Sequence, residues 1–465
     1  MKKWILLFLL LPNLAWGATW YVRPISGEYG GEDGTAYATA YDGFVGITWG
    51  VGGVVAGDTL YVCGTHTEQL TVGASGSNGS LITIRGDYGG DPCVIDGATI
   101  GIKVDQNYVT LLNLTVTDST DGTFGNIAIE GNNVTVQGCT SSGATNHGIV
   151  FYNESGDNLV TGCVINGNGD SGIFGFQEVA THGHENIIRN NCIYQNHIFG
   201  ICLYSNYYII ENNLVYNNGN TGDVTSGIEI ADWGGGYGQH NIIRYNTVWG
   251  QISGGDDGEG IYADDVSAYV DIYYNVVYGN DGPGIGVHRS DYINVYNNTV
   301  YGNCLNSSGE LTNKTEIKVI DTSIGESSYV VIKNNAVQAT QANTYAIWLN
   351  ATTYGMTGLD ITNNDWYASA TNWYFWNATG GNNLTTWNAL TGVGTDLNSD
   401  PLFVSATDFH LLAGSPAQNA GTIISSIPQR DKDGIPIVDL PDIGAYEYFG
   451  VHAGPGTYVI GGSVK

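Results

Sequence analysis

Ten segments of this chain start near Gly101, Gly125, Gly148, Gly172, Gly200, Gly227, Gly260, Gly284, Glu316 and Ala346, most of them separated by about two to three dozen residues. Each opens on a short alternating strand of the Ile-x-Val, Ile-x-Ile or Ile-x-Leu type. A turn follows, and then a second strand of the Asn-x-Val-Tyr kind. An asparagine recurs in that second element as Asn113, Asn191, Asn213, Asn246, Asn275, Asn298, Asn335 and Asn364. Identical polar side chains, one per turn of chain, can hydrogen-bond up and down a stack and satisfy buried turns. No helical period interrupts the strands, and no WD or kelch signature accompanies them. The repeat therefore predicts an all-β chain: a single right-handed parallel β-helix of about ten coils.

Bare solenoid ends would expose the core and unpaired strand edges, so both flanks are expected to act as caps. The expected boundaries are an N-terminal cap with the first strands over 18–80, the β-helix over 81–370, a C-terminal cap over 371–450 and a tail over 451–465. Trp373, Trp376 and Trp387 mark the closing cap. Residues 1–17 combine Met1-Lys2-Lys3, an apolar run from Trp4 to Leu11 and the small-residue site Ala15-Trp16-Gly17. They predict a secretory signal peptide and a secreted protein, extracellular or periplasmic. The apolar run is too short to span a bilayer. With 68 glycines, 14 basic residues and a net charge of −30, nucleic acid and anionic membrane are excluded as partners unless cations mediate. A monomer is expected.

Seven cysteines leave at least one unpaired. Cys139, Cys163 and Cys192 occupy one place in the repeat and predict a ladder of small buried side chains, not a disulfide framework. His182-Gly183-His184-Glu185 lies in a coil insert and reads as a surface turn.

Laid over one another, the segments GIEIADW, GIYADDV, GIGVHRS and EIKVIDT gather most of the charge of their region into one strip. Alternate residues of a strand face the same way. Glu229, Tyr262, Gly286, Lys318 and Trp348 are thus expected to face outward on successive coils. Asp232, Asp265, Arg289 and Asp321 follow at the turn, with Asp264 and His288 one residue earlier. Coils stack about 4.8 Å apart, and carboxylates at that spacing repel by a few kcal/mol at an effective dielectric near 20. A cation would relieve this, and oxygen ligands favour Ca²⁺, so Asp232, Asp264 and Asp265 are the expected metal ligands. Inserts at Trp233 to Gly238, Gly250 to Glu259 and Cys304 to Thr315 are placed to wall a cleft beside them.

The opening AGDTLYVCGTHTEQLTV (Ala56 to Val72), the Gly-Ile and Asn-x-Val-Tyr coils and the end resemble the right-handed β-helix proteins of the pectate lyase superfamily. That end, DPLFVSATDFHLLAGSPAQNAG with PDIGAYEY, is similar to the closing segment of choice-of-anchor type secreted β-helix proteins. Asp232, Asp264-Asp265 and Lys318 resemble the site of family 9 pectate lyases, departing at Ala268, where a further Asp is expected. The resemblance implies a calcium-dependent polysaccharide lyase that cleaves an acidic, uronate-containing polymer by β-elimination. Lys318, Arg289 and His288 would then be catalytic, with Tyr262, Trp233, Glu229 and Asp321 binding substrate. Three alternatives stand beside it: an inverting glycoside hydrolase using Asp232 with Asp265, an epimerase sharing the proton abstraction though without an Asp-Pro-His-Asp motif, and a non-catalytic glycan-binding adhesin or tail-fibre-like protein.

Overall fold

The computed structural model describes residues 17–449, apart from 153–154, 180–182, 221–223, 233–234, 255–256, 307–313, 322–326, 351–356, 369–371, 378 and 393. Residues 1–16 of the expected signal peptide, Trp233 and His182 lie outside the described residues. Among the described residues the strands form three sheets of 14, 12 and 13 strands, and in each sheet every third strand of the chain is a neighbour. That order is the signature of a right-handed parallel β-helix in which each coil lends one strand to each sheet. The pairing is parallel throughout, apart from the hairpin of Tyr374–Trp376 with Thr379–Gly381. The 12-stranded sheet counts twelve coils, two more than the repeat predicts. The additional coils carry Leu70–Thr71 and Tyr374–Trp376, which lack the Gly-Ile start.

One coil shows why the sequence closes as it does. Ser226–Ile230 lies in the 13-stranded sheet, Ile242–Arg244 in the 14-stranded sheet and Thr247–Trp249 in the 12-stranded sheet. Ile228, Ile261, Ile285, Ile317 and Ile347 stack in register and are fully buried. Removing such side chains from water contributes about 1.5–3 kcal/mol each. The corner between the second and third of these strands is two residues, Tyr245-Asn246. The first takes a left-handed conformation, as do its counterparts Gly138, Gly162, Asn190, Asn212, Tyr274, Asn297, Asn334 and Asn363.

The second corner residue builds the ladder. Asn191, Asn213, Asn246, Asn275, Asn298, Asn335 and Asn364 are buried, each amide donating to the next at 2.9–3.1 Å. Asp396 accepts the last amide at 3.3 Å. Two expectations shift by one residue here. Asn113 is an exposed left-handed corner residue bonded to Asp87, and its neighbour Leu114 holds the ladder position. Cys139 and Cys163 sit at that position too, but Cys192 is the next residue on, paired with Val164. All seven cysteines are free. A second ladder, unseen in the sequence, runs Asn168, Asn196, Asn218, Gln251, Asn280, Asn303 and ends on Glu316.

The helix Leu384–Thr391, capped by Asn383, plugs the last coil with Trp387. Trp387 and Trp366 both donate to Asp396 Oδ2, at 2.7 and 3.1 Å. The chain then turns back along the outside. Asn334 donates to the Thr422 carbonyl, Thr299 Oγ1 accepts from Ala445 and Lys432 donates to the Tyr245 carbonyl. The C-terminal segment thus covers several coils of the Asn corner and not the last ones alone.

Candidate functional site

Register places the strip where alternation predicts it. Glu229, Tyr262, Gly286, Lys318 and Trp348 pair in sequence across five strands of the 13-stranded sheet. These outward positions are nevertheless closed: Lys318 is 2% exposed, Tyr262 4%, Trp348 4% and Glu229 5%. Gly286 leaves no room for a sugar ring. A Cβ there would stand 2.6 Å from the Tyr262 ring and 3.0 Å from Lys318 Cε. Outward-facing Lys318 is therefore not presented to solvent, and the surface over Gly286 is closed. Tyr262 and Lys318 fill the space themselves.

Lys318 reaches back across two coils to a residue the sequence reading passed over. Its Nζ pairs with Oε1 of Glu259, which is fully buried, and lies 4.6 Å from the centre of the Tyr262 ring. Burial pushes the Glu259 carboxyl up to about 7, against the pull of the Lys318 charge. Glu229, donated to by Ser226 Oγ at 3.0 Å, is raised well above the usual range by burial and by the Asp264 charge. Burial and the Glu259 and Asp264 charges likewise hold Tyr262 as a phenol. Glu259 directly precedes Gly260, at the position of Ser226 on the preceding coil. A frame begun one residue earlier would have included it.

The corner after the strands is partly exposed. There Asp264 and His288 are neighbours on adjacent coils, as are Asp265 and Arg289. His288 Nδ1 lies 2.6 Å from Asp264 Oδ1 and 3.2 Å from the Tyr262 hydroxyl. Arg289 pairs with Asp265. These four side chains are 16–31% exposed. Asp265 and Arg289 are left-handed, and so is Val266, a β-branched residue for which that conformation is a strained outlier. Two nitrogens at this corner, His288 Nε2 and Arg289 Nε, are buried with no hydrogen-bond partner among the described residues. Each such group costs about 1–3 kcal/mol. Unsatisfied groups of this kind call for a functional account.

Asp232 and Asp321 flank this corner on the adjoining coils: the Asp232 amide donates to the Asp265 carbonyl at 3.0 Å, and the Arg289 amide donates to the carbonyl of Ile320, just before Asp321, at 3.3 Å. Asp232 accepts backbone N–H bonds from Gly235 and Gly236 at 2.8 and 3.0 Å, one on each oxygen. Asp321 accepts from the Ser327 amide at 2.6 Å. His184 pairs with Asp157 at 2.8 Å on the surface.

The calcium expectation can be weighed on this donor set. Asp264, Asp265 and His288 present ligand atoms within 4.8 Å of one another. Ca²⁺ takes six to eight oxygens. Here one ligand is a nitrogen, Asp265 already holds a guanidinium, and Asp232 caps a turn. Asp264, Asp265 and His288 alone do not supply the oxygen shell that Ca²⁺ takes.

The family model described as "Right handed beta helix region" matches residues 80–237. No curated protein matches the sequence. Among solved structures, the chain is similar to XylC in complex with xylose, at 10% identity over 93% of this chain and 98% of that one, with a TM-score of 0.60. It is also similar to pectate lyase Pel9A, at 16% identity, 94% and 97% coverage and a TM-score of 0.48. The A-module of the Azotobacter vinelandii mannuronan C-5 epimerase AlgE6 aligns at 15% identity, 83% and 91% coverage and 0.49. The shared property is the β-helix. No described helix is long and apolar enough to cross a membrane.

Proposed function

We propose that the chain is a secreted polysaccharide-active enzyme that abstracts the proton beside a uronate carboxylate, with His288 as the base. The observation that carries this is the 2.6 Å contact of His288 Nδ1 with Asp264, which leaves the buried Nε2 without a described partner, at a corner where the buried Nε of Arg289 also lacks one. A carboxylate on Nδ1 fixes the imidazole tautomer and steadies the imidazolium that forms, as in other acid–histidine pairs. Nε2 then holds the lone pair. Arg289 has five donors, so one guanidinium can hold Asp265 and a substrate carboxylate together. Charge developing on that carboxylate as the proton leaves is met by a fixed cation.

In β-elimination the proton next to the carboxylate moves to His288 Nε2 and its electron pair forms the new carbon–carbon double bond. The bond to the 4-linked sugar oxygen breaks, and that oxygen leaves with a proton returned from the imidazolium. Arg289 takes the role that the pectate lyase resemblance gives to calcium, so no step runs through a metal. Lys318, buried against Glu259, positions the Tyr262 ring instead of acting as the base.

The test is turnover of polygalacturonate, polymannuronate, polyguluronate and glucuronan in deuterated water, followed by ultraviolet absorbance and by mass. A rise in absorbance on one polymer is the expected result. Deuterium uptake without absorbance would keep the proton abstraction and make the reaction an epimerisation. Hydrolysis without either would overturn the reading.

A further inference from the structure

On the opposite side of the turn from the candidate site, five aromatic residues stand one above another. Tyr207, His240, Tyr269, Tyr292 and Tyr329 occupy equivalent positions one or two residues before successive strands of the 14-stranded sheet. Their ring centres are 4.8, 4.8, 4.6 and 4.6 Å apart and their planes lie within 13° of parallel. All five are left-handed, with φ between 55° and 59°. Bulky side chains avoid that region, and Asn or Asp adopts it readily. Earlier coils use Asn133 and Asp157 there. Burial does not explain the choice, since Tyr269, Tyr292 and Tyr329 are 40–45% exposed. A strained backbone kept in a row points to the surface that the row presents.

The same molecule shows what such a row is for. At the Asn corner, left-handed Tyr245 and Tyr274 also stack, at 5.5 Å. There the C-terminal segment covers them, with Ile427 packed against the pair and Tyr274 1% exposed. Along the other ladder, the rings line a groove whose floor is the outward row of the 14-stranded sheet. That floor is apolar at Ile209, Ile242 and Val331 and polar at Asp271, Asn294 and Asp360. Asn294 donates to Asp271 Oδ1 at 2.7 Å and accepts from the Tyr296 hydroxyl at 2.7 Å. Burial raises the Asp271 carboxyl. An apolar groove with a few convergent polar groups, one of them perturbed, is the usual form of a ligand site.

We propose that this groove binds a neutral glycan strand running along the helix axis, over about 19 Å or four coil steps. Charge decides against the acidic polymer: Glu185, Asp271 and Asp360 line the groove, and the nearby Lys333 is already paired with Asp360. A peptide strand finds no edge to extend. The backbone N–H of each ladder residue is bonded to the next coil, at Gln239, Ala268, Asp291, Ser328 and Thr357. Sugar hydroxyls can donate to Asp271 and Asp360 and exchange with the row of phenols, while sugar C–H faces pack on Ile209, Ile242 and the ring edges. The site is independent of the proposed reaction.

Calorimetry of the full chain with cellohexaose, xylohexaose and mannohexaose tests it. At least one should bind, and Tyr269→Asn with Tyr292→Asn should weaken that binding at least tenfold. Asn suits the left-handed backbone, so folding should survive. Asp271→Asn leaves the ladder whole and should weaken binding at least threefold. It is the deciding variant if the double variant melts far below wild type. Failure of all three sugars to bind, or unchanged binding in the deciding variant, overturns the proposal. Hexagalacturonate serves as the control and should be indifferent to all of these changes.

Discussion

His288 and Lys318 make opposite predictions although they stand on neighbouring coils. His288→Ala removes a ring that is 16% exposed and whose Nε2 bonds to nothing described, so stability should change by less than about 1 kcal/mol. Its turnover should fall by about 10²–10⁴, the usual contribution of a positioned base. Asp264→Asn should lower turnover in the same direction and shift the pH profile, because the amide no longer fixes the ring. Lys318→Met is the reverse case. It leaves Glu259 buried without its cation, and breaking such a pair costs about 3–5 kcal/mol. Adding Glu259→Gln removes the stranded charge and should recover most of the loss in thermal melts. A Lys318→Met variant as stable as wild type would contradict the buried pair.

The ladders show what can and cannot be read at the level of the element. The Gly-Ile starts and recurring asparagines were legible because each coil repeats the same corner chemistry. The frame slipped where the repeat degenerates. Asn113 looks like a ladder residue, yet it is the left-handed corner one place earlier, a role that Asn also suits. Glu259 and Glu316 were missed as partners because their roles depend on residues one or two coils away, and the lengths of the inserts set that distance. The outward row was placed correctly, but its burial was not foreseen, since alternation says which way a side chain points and not what covers it. One consequence is measurable. Asn298→Ala deletes a donor and an acceptor from a buried stack and should cost about 1–3 kcal/mol. Asn113→Ala should cost under about 0.5 kcal/mol apart from its left-handed strain. Denaturant melts of the two variants distinguish a true ladder member from its neighbour.

Across the whole molecule, burial raises many carboxyls. Glu259 and Asp365 are pushed up to about 7, Asp431 to about 6, and Glu316 and Glu447 to about 8. An acid raised on folding binds its proton more tightly in the folded state. Its contribution is therefore complete below the unfolded value of 3.8 or 4.5 and is lost as pH rises through the folded value. Melting temperature should accordingly fall between about pH 5 and pH 8, and the net charge of −30 adds self-repulsion in the same direction. A melting temperature that rises over this interval would contradict the buried acids. Calcium should leave the melting temperature where a chelator leaves it, because a ligand stabilises only when it binds the folded state preferentially.

The central claim is that proton abstraction happens at the His288 corner and not over the closed strip. It is tested most directly by the turnover of His288→Ala beside that of the Lys318→Met, Glu259→Gln double variant, on the uronate polymer that wild type cleaves. The corner reading predicts a fall of at least about a hundredfold for His288→Ala, with its melting temperature kept, and turnover within a few-fold of wild type for the double variant. Full activity in His288→Ala, with activity lost in a folded double variant, would contradict it and return the base to Lys318.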